Sequence, residues 1–448
     1  MMNSYGERET QSGSNRMANR AALSSVAGSA LEWLDFAAYG AIAATVLPKL
    51  FFPATDPTTA TLAAFATFSV GFIARPLGGL VCGYYGDRLG RRTLLVFTFL
   101  LMGVCSFLIG ILPTYAAVGV WAPIALVVLR FLQGFALGGE VTGSQLLTME
   151  HAPPGRRGFY SSFIAMGSPL AQVLANGLLF GIAALMSSDQ FVSFGWRIPF
   201  LFSFVLVAVG LYIRFRVTES PTFTQASQNP AGRPSQERVR PYLPTMLRLV
   251  LVWAAPSTAY FIAAVYSLNY AVNQLGLSKE TSFGILILSH LCSMIAMAVG
   301  GLLADRRGRR PSMLTASLVM LLALGSFFPL VASANALLVA AGVVLLLCAV
   351  QLHAGIQPVY FAEAFPPAMR YRGSAVSYNV ANLIGSCAPL LATWLNAHFA
   401  GAWGPMLGVG LVLNLFSLCA IWVGKEHYIA SPATSRAEPL DPLSAHSS

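Results

Sequence analysis

Two acidic residues, Glu32 and Asp35, lie in a stretch of the chain that is otherwise almost entirely apolar. They are three residues apart, so a helix presents them on neighbouring parts of one face. If that helix starts near residue 26, both acids lie about 9–14 Å along its axis. Loss of hydration disfavours the ionised form of a carboxylate, and a buried acid can therefore exchange a proton near neutral pH. We interpret both residues as candidates for proton coupling, with Asp35 the deeper; the alternative is a permanent pair with a buried arginine.

Two arginines, Arg75 and Arg130, also occur far inside apolar runs. Arg75 precedes Asp87 by about 18 Å of helix, and Arg130 lies about ten residues into its own run. A guanidinium group stays charged and can bind a carboxylate through two parallel hydrogen bonds. Each arginine is therefore a candidate ligand for an anionic substrate or a permanent partner of a buried acid. Both interpretations stay open for Arg130, whereas the Pro-Leu-Gly-Gly sequence after Arg75 favours a structural role there.

The run that contains Arg130 carries two further polar groups, Gln133 and Glu140, on one broad stripe of a helix. Glu140 is our third candidate for proton coupling, with the capping of a buried polar network as the alternative. Gly134 and Gly138 lie in the same run, where small residues allow a neighbouring helix to approach closely.

The second half of the chain has few charges in its apolar runs, but many neutral hydrogen-bonding side chains. Such groups can orient a ligand, although ordinary hydrogen bonds between helices are the simpler explanation for any one of them. Our predicted substrate-binding residues come from both halves: Arg130, Arg75, Gln133, Tyr39, Tyr266, Asn269, Gln357 and Asn379. The six cysteines form no Cys-x-x-Cys pair, so we predict neither a disulfide framework nor a metal site. We also predict no cofactor.

The elements that position these residues are membrane-spanning helices. The chain of 448 residues is 56% hydrophobic and 10% charged, against about 25% charged residues in soluble proteins. Apolar runs of about 20 residues, each long enough to cross the hydrocarbon core as a helix, recur along its length. The predicted spans lie near 26–48, 61–85, 93–112, 120–146, 159–184, 197–217, 246–270, 281–303, 312–331, 335–360, 373–397 and 404–424.

Basic residues cluster in alternate connections between these spans. By the positive-inside rule, those connections and both chain termini face the cytoplasm. This topology accounts for the net charge of +10, which therefore does not predict nucleic-acid binding. Residues 1–22 lack the pattern of a cleavable signal peptide, so we expect the first span to be retained.

The chain contains an internal repeat. The sequence Gly83-x-x-x-Asp87-Arg88-x-Gly90-Arg91 returns roughly 218 residues later as Gly301-x-x-x-Asp305-Arg306-x-Gly308-Arg309. A second pair, Glu150 with Arg157-Gly158 and Glu363 with Arg372-Gly373, repeats in the same order. The Pro-rich segment 218–244 separates the copies. The predicted units are an N-terminal tail (1–22), a six-helix bundle (23–217), a linker (218–244), a second six-helix bundle (245–426) and a C-terminal tail (427–448).

The repeated loops resemble the signature loops of the major facilitator superfamily. Five further motifs resemble its metabolite:proton symporter family: Leu31-Glu32-Trp33-Leu34-Asp35-Phe36; Arg75-Pro76-Leu77-Gly78-Gly79; Arg130-Phe131-Leu132-Gln133-Gly134 with Gly138-Gly139-Glu140; Gly195-Trp196-Arg197-Ile198-Pro199-Phe200; and Thr218-Glu219-Ser220-Pro221. This resemblance covers about residues 25–425, and the family includes carriers of citrate, 2-oxoglutarate, shikimate, and proline or betaine. It implies an all-α membrane protein with about twelve transmembrane helices in two pseudo-symmetric six-helix bundles. Two such bundles suggest a substrate site at their interface.

The resemblance also implies a gating role for the repeated loops. An aspartate at a helix end can meet the positive N-terminus of a neighbouring helix in one access state only. The predicted gating residues are Gly83, Asp87, Arg88, Gly90, Arg91, Gly301, Asp305, Arg306, Gly308 and Arg309. The alternative is that these charges only set the topology.

The sequence therefore predicts a proton-coupled symporter of a small organic carboxylate or zwitterion in the bacterial inner membrane, acting as a monomer. Its partners are the substrate, protons and the lipid bilayer. A passive facilitator and a proton-antiport exporter remain alternatives. An enzyme is not predicted, because no Ser/His/Asp arrangement, metal-ligand cluster or phosphate-binding glycine loop has convincing spacing.

Overall fold

The computed structural model describes residues 33–53, 56–89, 91–138, 155–204, 240–333, 335–399 and 403–425. Within these ranges the regular structure is helical throughout and no strand is present. We number the principal helices in chain order: α1 (33–45), α2 (Pro57–Leu89), α3 (Arg91–Ile111), α4 (Trp121–Leu137), α5 (Arg157–Ala165 and Gly167–Leu185), α6 (198–204), α7 (Leu243–Phe261, Ile262–Tyr266 and Ser267–Asn273), α8 (Lys279–Arg307), α9 (Arg309–Ala332), α10 (Ala336–Glu363), α11 (Pro367–Ser386 and Ala388–His398) and α12 (Gly404–Val423).

These helices have the length and composition of membrane spans. Eight helices in the described ranges are long and apolar enough to cross a membrane, and Val96–Ile111 and Trp121–Leu137 are shorter apolar helices. The remaining two, α1 and α6, are described only from residue 33 and up to residue 204. Each of the twelve overlaps one predicted span.

The observed helices often extend beyond the predicted spans. For example, α7 begins at Leu243, within the segment predicted as linker, and α10 continues to Glu363. Hydropathy locates the part of a helix that suits hydrocarbon, whereas backbone hydrogen bonding continues into the polar ends. Most of the predicted linker lies outside the described residues, and the division into tails, bundles and linker stays a prediction.

Glycine allows the backbones of paired helices to touch in both halves of the chain. A Cβ atom on Gly134 of α4 would lie 1.9 Å from the carbonyl oxygen of Gly71 on α2. In the second half, a Cβ atom on Gly355 of α10 would lie 2.0 Å from the carbonyl oxygen of Met297 on α8. The same helix pair of each half is therefore tightly packed, which agrees with the internal repeat.

The two halves contact each other at both ends of the molecule. We call the end where α8 finishes at Arg307 the motif end, and the end where α7 finishes at Asn273 the opposite end. At the motif end, Asp305 accepts hydrogen bonds from the start of α5. At the opposite end, the side-chain amide of Asn269 donates to the carbonyl oxygen of Ala44, 2.8 Å away. The space between the halves is consequently narrow.

Candidate functional site

The carboxylate of Asp35 is held by two hydroxyl groups from other helices. Ser106 of α3 donates a hydrogen bond of 2.5 Å to Oδ2, and Ser203 of α6 donates to Oδ1. Asp35 is only 3% exposed. These neutral donors stabilise the buried carboxylate without placing an opposite charge beside it.

A chain of hydrogen bonds connects Asp35 to Arg130. The side-chain amide nitrogen of Gln133 donates to Ser106 Oγ at 2.6 Å, and Arg130 Nη1 donates to Gln133 Oε1 at 2.5 Å. No ion pair joins Asp35 and Arg130 directly among the residues that the structure describes. The two opposite charges are thus linked through neutral groups, and a change at one end can alter the hydrogen bonding at the other.

The guanidinium of Arg130 is fully buried against aromatic rings. Its Cζ atom lies 3.7 Å from the ring centroid of Tyr39 and 4.3 Å from that of Phe36. Such contacts favour a desolvated cation. The Nε and Nη2 groups have no hydrogen-bond acceptor in the described parts of the chain. Two donors of Arg130 are therefore available to an anion.

Tyr39 fixes one wall of this aromatic environment. Its hydroxyl group forms a hydrogen bond of 2.6 Å with Thr67 Oγ1 on α2. Gly71 lies one turn further along, and a Cβ atom there would come within 3.1 Å of Arg130 Nη2. Glycine at this position lets α2 approach the guanidinium closely.

Arg75 lies in a neighbouring aromatic cluster. Its Cζ atom is 4.5 Å from the Trp33 ring, 4.4 Å from Phe36 and 4.2 Å from Phe72. Phe36 thus contacts both buried arginines, while Arg75 is not part of the hydrogen-bonded chain that reaches Asp35. The placement is compatible with the structural role favoured for Arg75.

A narrow cavity, which we call the central cavity, lies between the halves beside these aromatic rings. Phe36, Phe68 and Phe72 line it from the first half and Phe261 lines it from the second. Its polar lining is contributed by Gln172 and Asn176 of α5 and by Tyr260 of α7. Gln172 donates a hydrogen bond of 2.9 Å to the Tyr260 hydroxyl and so connects the halves at the cavity wall.

Four predicted binding residues of the second half lie away from this cavity lining. Tyr266 lines a separate, largely aromatic cavity among α7, α9, α11 and α12. Asn269 forms the contact with Ala44 at the opposite end. Gln357 and Asn379 are buried on α10 and α11. A binding role for these four residues stays a prediction.

Among the predicted gating residues, those of the second loop form a defined contact. Asp305 accepts backbone N–H hydrogen bonds of 2.8 Å from both Gly158 and Phe159 at the N-terminus of α5, which is the favoured position for a negative charge. Buried Arg309 contacts Asp305 at 3.1 Å and Glu363 at 3.1 Å.

Two glycines make this contact possible. A Cβ atom on Gly301 would lie 2.7 Å from the carbonyl oxygen of Gly158, and Gly308 has a φ of +90°, which side chains rarely adopt. Arg306 points outward and is exposed. The gating role of this group stays a proposal.

Glu32, Glu140 and Gly90 lie outside the described residues. In the first repeated loop, Gly83, Asp87 and Arg88 belong to α2, and Arg91 begins α3.

Sequence reasoning missed four residues that this site uses: Ser106, Ser203, Gln172 and Asn176. The amides are four residues apart in an apolar run and so share a helix face, which is a usable signal. The serines gave none, because a serine in a span commonly donates to a carbonyl oxygen of its own helix; Met102 offers Ser106 such an acceptor at 3.0 Å.

The fold and the buried charged site define a polytopic membrane transporter. Residues 23–362 match the Major Facilitator Superfamily, and the chain belongs to that family. The resemblance found in the sequence motifs is thereby confirmed, as is the twelve-helix, two-bundle fold. Because this family and the related proteins are transporters, the chain is a transporter and not an enzyme.

The related proteins carry metabolites. The chain is 39% identical over 415 residues to the inner membrane metabolite transport protein YhjE of Escherichia coli strain K12, covering 89% of this chain and 93% of that protein. It is 40% identical over 392 residues to the shikimate transporter of the same organism, covering 86% and 90%. The proline/betaine transporter of Salmonella typhimurium is 34% identical over 379 residues, covering 82% and 76%.

The fold is also similar to that of a solved transporter. The crystal structure of a D-xylose-proton symporter gives a TM-score of 0.73, covering 91% of this chain and 98% of that one, at 19% sequence identity. At this identity the similarity concerns the fold alone.

Proposed function

We propose that this protein is a proton-coupled symporter, which moves a small organic carboxylate or zwitterion across the bacterial inner membrane by alternating access. The observation that carries the proposal is the hydrogen-bonded chain from Asp35 through Ser106 and Gln133 to Arg130. It connects an acid that can bind a proton with a cation that can bind a substrate anion.

In this proposal Asp35 carries the proton. Protonation turns its carboxylate from a pure acceptor into a group with an O–H donor, which changes the hydrogen bonding of Ser106 and Ser203. Gln133 transmits that change to Arg130, because its amide bonds Ser106 and the guanidinium at once. Substrate and proton then favour the same rearrangement, which is the basis of coupling.

Arg130 receives the carboxylate of the substrate. Its unpartnered Nε and Nη2 groups have the geometry for two parallel hydrogen bonds to a carboxylate. Phe36 contacts the guanidinium at 4.3 Å and also lines the central cavity. Movement of this ring brings the cavity into contact with the arginine.

The predicted topology assigns each end of the molecule to one side of the membrane. With the basic connections facing the cytoplasm, the motif end is the cytoplasmic end and both termini lie inside the cell. The relatives named as carriers of shikimate and of proline/betaine support a carboxylate or zwitterion as the cargo.

Uptake into proteoliposomes under an imposed pH gradient tests the proposal, with shikimate, proline and betaine as first substrates. We expect accumulation above equilibrium that collapses when a protonophore is added. Asp35→Asn should abolish this uphill uptake and retain exchange of substrate across the membrane. As a control, Asp56→Asn removes an exposed acid that caps α2 through Thr58 and Thr59 and should leave uptake intact.

The alternatives give different results in the same vesicles. A passive facilitator equilibrates substrate in both the native protein and Asp35→Asn, with no response to the gradient. An antiporter accumulates substrate only when the gradient is reversed. Either result, obtained with active protein, would exclude symport.

A further inference from the structure

One polar group in the wall of the central cavity lacks a hydrogen-bond partner. Asn176 is 1% exposed, and its Nδ2 atom donates to the carbonyl oxygen of Gln172 at 2.7 Å. Because a carbonyl oxygen can only accept, this bond fixes which side of the amide carries the nitrogen. The Oδ1 atom of Asn176 is therefore an acceptor, and it has no donor among the residues of known placement.

A second acceptor without a partner lies behind the same wall. His290 is fully buried, and its Nδ1 atom is 2.8 Å from the carbonyl oxygen of Leu286. That contact places the proton on Nδ1 and leaves Nε2 as an acceptor, again with no partner among the described residues. The imidazole stands edge-on to the ring of Tyr260, with centroids 6.4 Å apart. Tyr260 itself lines the cavity.

Of these two acceptors only Asn176 lines the cavity, and its Oδ1 atom contrasts with the rest of the cavity surface. The facing walls are rings, including Phe68, Phe72 and Phe261, which offer an occupant no strong hydrogen bond. Gln172 is already engaged with Tyr260 and with Asn176. Burial of an acceptor without a donor is costly, so an occupant that supplies a donor is favoured over one that does not.

We infer that the substrate of this cavity carries an O–H or N–H donor besides its carboxylate and donates it to Oδ1 of Asn176. The inference rests on the proposed function, because it describes the cargo of the same cavity. Hydroxylated organic acids and zwitterions with N–H groups meet the requirement. A fully N-methylated zwitterion or a plain carboxylate lacks the donor and leaves the acceptor unpaired.

Matched pairs of compounds test the inference on the purified protein, without any proton gradient. Shikimate is compared with cyclohex-1-ene-1-carboxylate, which has the same ring and carboxylate but no hydroxyl groups. Proline is compared with N,N-dimethylproline, which has no N–H. In at least one pair we expect the donor-bearing compound to bind about tenfold more tightly or better, as the loss of one buried hydrogen bond predicts.

Asn176→Leu tests the residue itself, since leucine has a similar size and no acceptor. It should bring the affinity ratio of the pair close to one, mainly by weakening the donor-bearing compound. Asn414→Leu is the matched control. Asn414 is also buried, donates to a backbone carbonyl oxygen (Ser317, 3.0 Å) and has an unpartnered Oδ1, but it lies outside the central cavity lining. It should leave the ratio unchanged.

Three results would overturn the inference: donor-free compounds that bind as well as their partners, a panel in which no donor-bearing acid binds, or an unchanged ratio in Asn176→Leu. If that variant does not fold, the ratios of the native protein decide. A failure of the proposed function looks different, because uptake that ignores the pH gradient would leave the binding ratios intact. Proton-driven uptake without any preference would overturn only this inference.

Discussion

At the scale of single residues, the arrangement of Asp35 and Arg130 differs from a buried ion pair. In a direct ion pair inside a low-dielectric interior, the two charges attract each other strongly. Neutralising one of them leaves the other buried without an opposite charge. Here Gln133 and Ser106 separate the two groups. Because the intervening groups are neutral, Arg130 keeps its hydrogen bond to Gln133 when Asp35 is protonated, and its other donors can still bind an anion.

Replacement of Arg130 by lysine tests the need for a planar guanidinium. Lysine keeps the charge but loses the parallel donors and the flat contact with Tyr39 and Phe36. We expect Arg130→Lys to raise the KM for a carboxylate substrate about tenfold or more, as measured in initial-rate uptake.

Arg197→Lys is the matched control for that substitution. Arg197 also lies over a ring, that of Trp196 at 4.6 Å, and donates to the carbonyl oxygens of Gly110 and Leu112. Its replacement should lower thermal stability and leave the KM near the native value. An equal rise of KM in both variants would contradict a substrate-binding role for Arg130.

At the scale of helices, backbone contact between α2 and α4 brings the site residues together. Arg130 and Gln133 precede Gly134, which touches Gly71 of α2 directly. A side chain at either glycine would push the helices apart and move the guanidinium from its aromatic contacts. Packing of small residues therefore determines the position of the charged groups.

Gly134→Ala is expected to destabilise the protein strongly, because its Cβ atom would lie 1.9 Å from a carbonyl oxygen that cannot move alone. Overpacking of this kind costs about 1–3 kcal/mol or more. Gly177→Ala in α5 has nothing within 4 Å of its Cβ position and should stabilise slightly. The midpoints of thermal unfolding in detergent compare the two; similar midpoints would contradict the close contact.

Much of this level of organisation was predictable from the sequence. Apolar runs located the helices, and the glycines after Arg130 predicted close packing, because both signals depend on residue type and local spacing. The partners of Asp35 were not predictable, since Ser106 and Ser203 come from α3 and α6 and meet only through the three-dimensional packing. The same limit applies to Asn176. The orientation of its amide is fixed by the hydrogen bond from Nδ2 to the carbonyl oxygen of Gln172, and the hydropathy of the sequence does not predict that bond.

At the scale of the whole molecule, the two ends are closed by contacts of different strength. The motif end has a charged contact, Asp305 with the N-terminus of α5, supported by Arg309 and Glu363. The opposite end includes the neutral bond between Asn269 and Ala44. An access state that opens one end must break the contacts there, so each set contributes to the balance between states.

Substitutions at the two ends should therefore shift access in opposite directions. Asp305→Asn removes the negative charge at the N-terminus of α5. The interaction of such a charge with a helix N-terminus contributes about 0.3–1 kcal/mol, or more when it is partly buried. We expect a cysteine placed at cavity residue Ala264, in a cysteine-free background, to react faster with an impermeant maleimide added at the motif end. Asn269→Ala should instead speed the reaction from the opposite end, because it removes the bond to Ala44.

The control for this comparison is again Asp56→Asn, which removes a carboxylate from the N-terminus of α2 without touching the contact between halves. It should leave labelling from both sides unchanged. If Asp305→Asn increased labelling equally from both sides, the substitution would have loosened the fold rather than shifted the balance. If it changed neither rate, Asp305 would be a topological charge, and the gate at the motif end would have to depend on other groups. A selective increase from the motif end is the result that supports gating, because it requires a contact that exists in only one of the two access states.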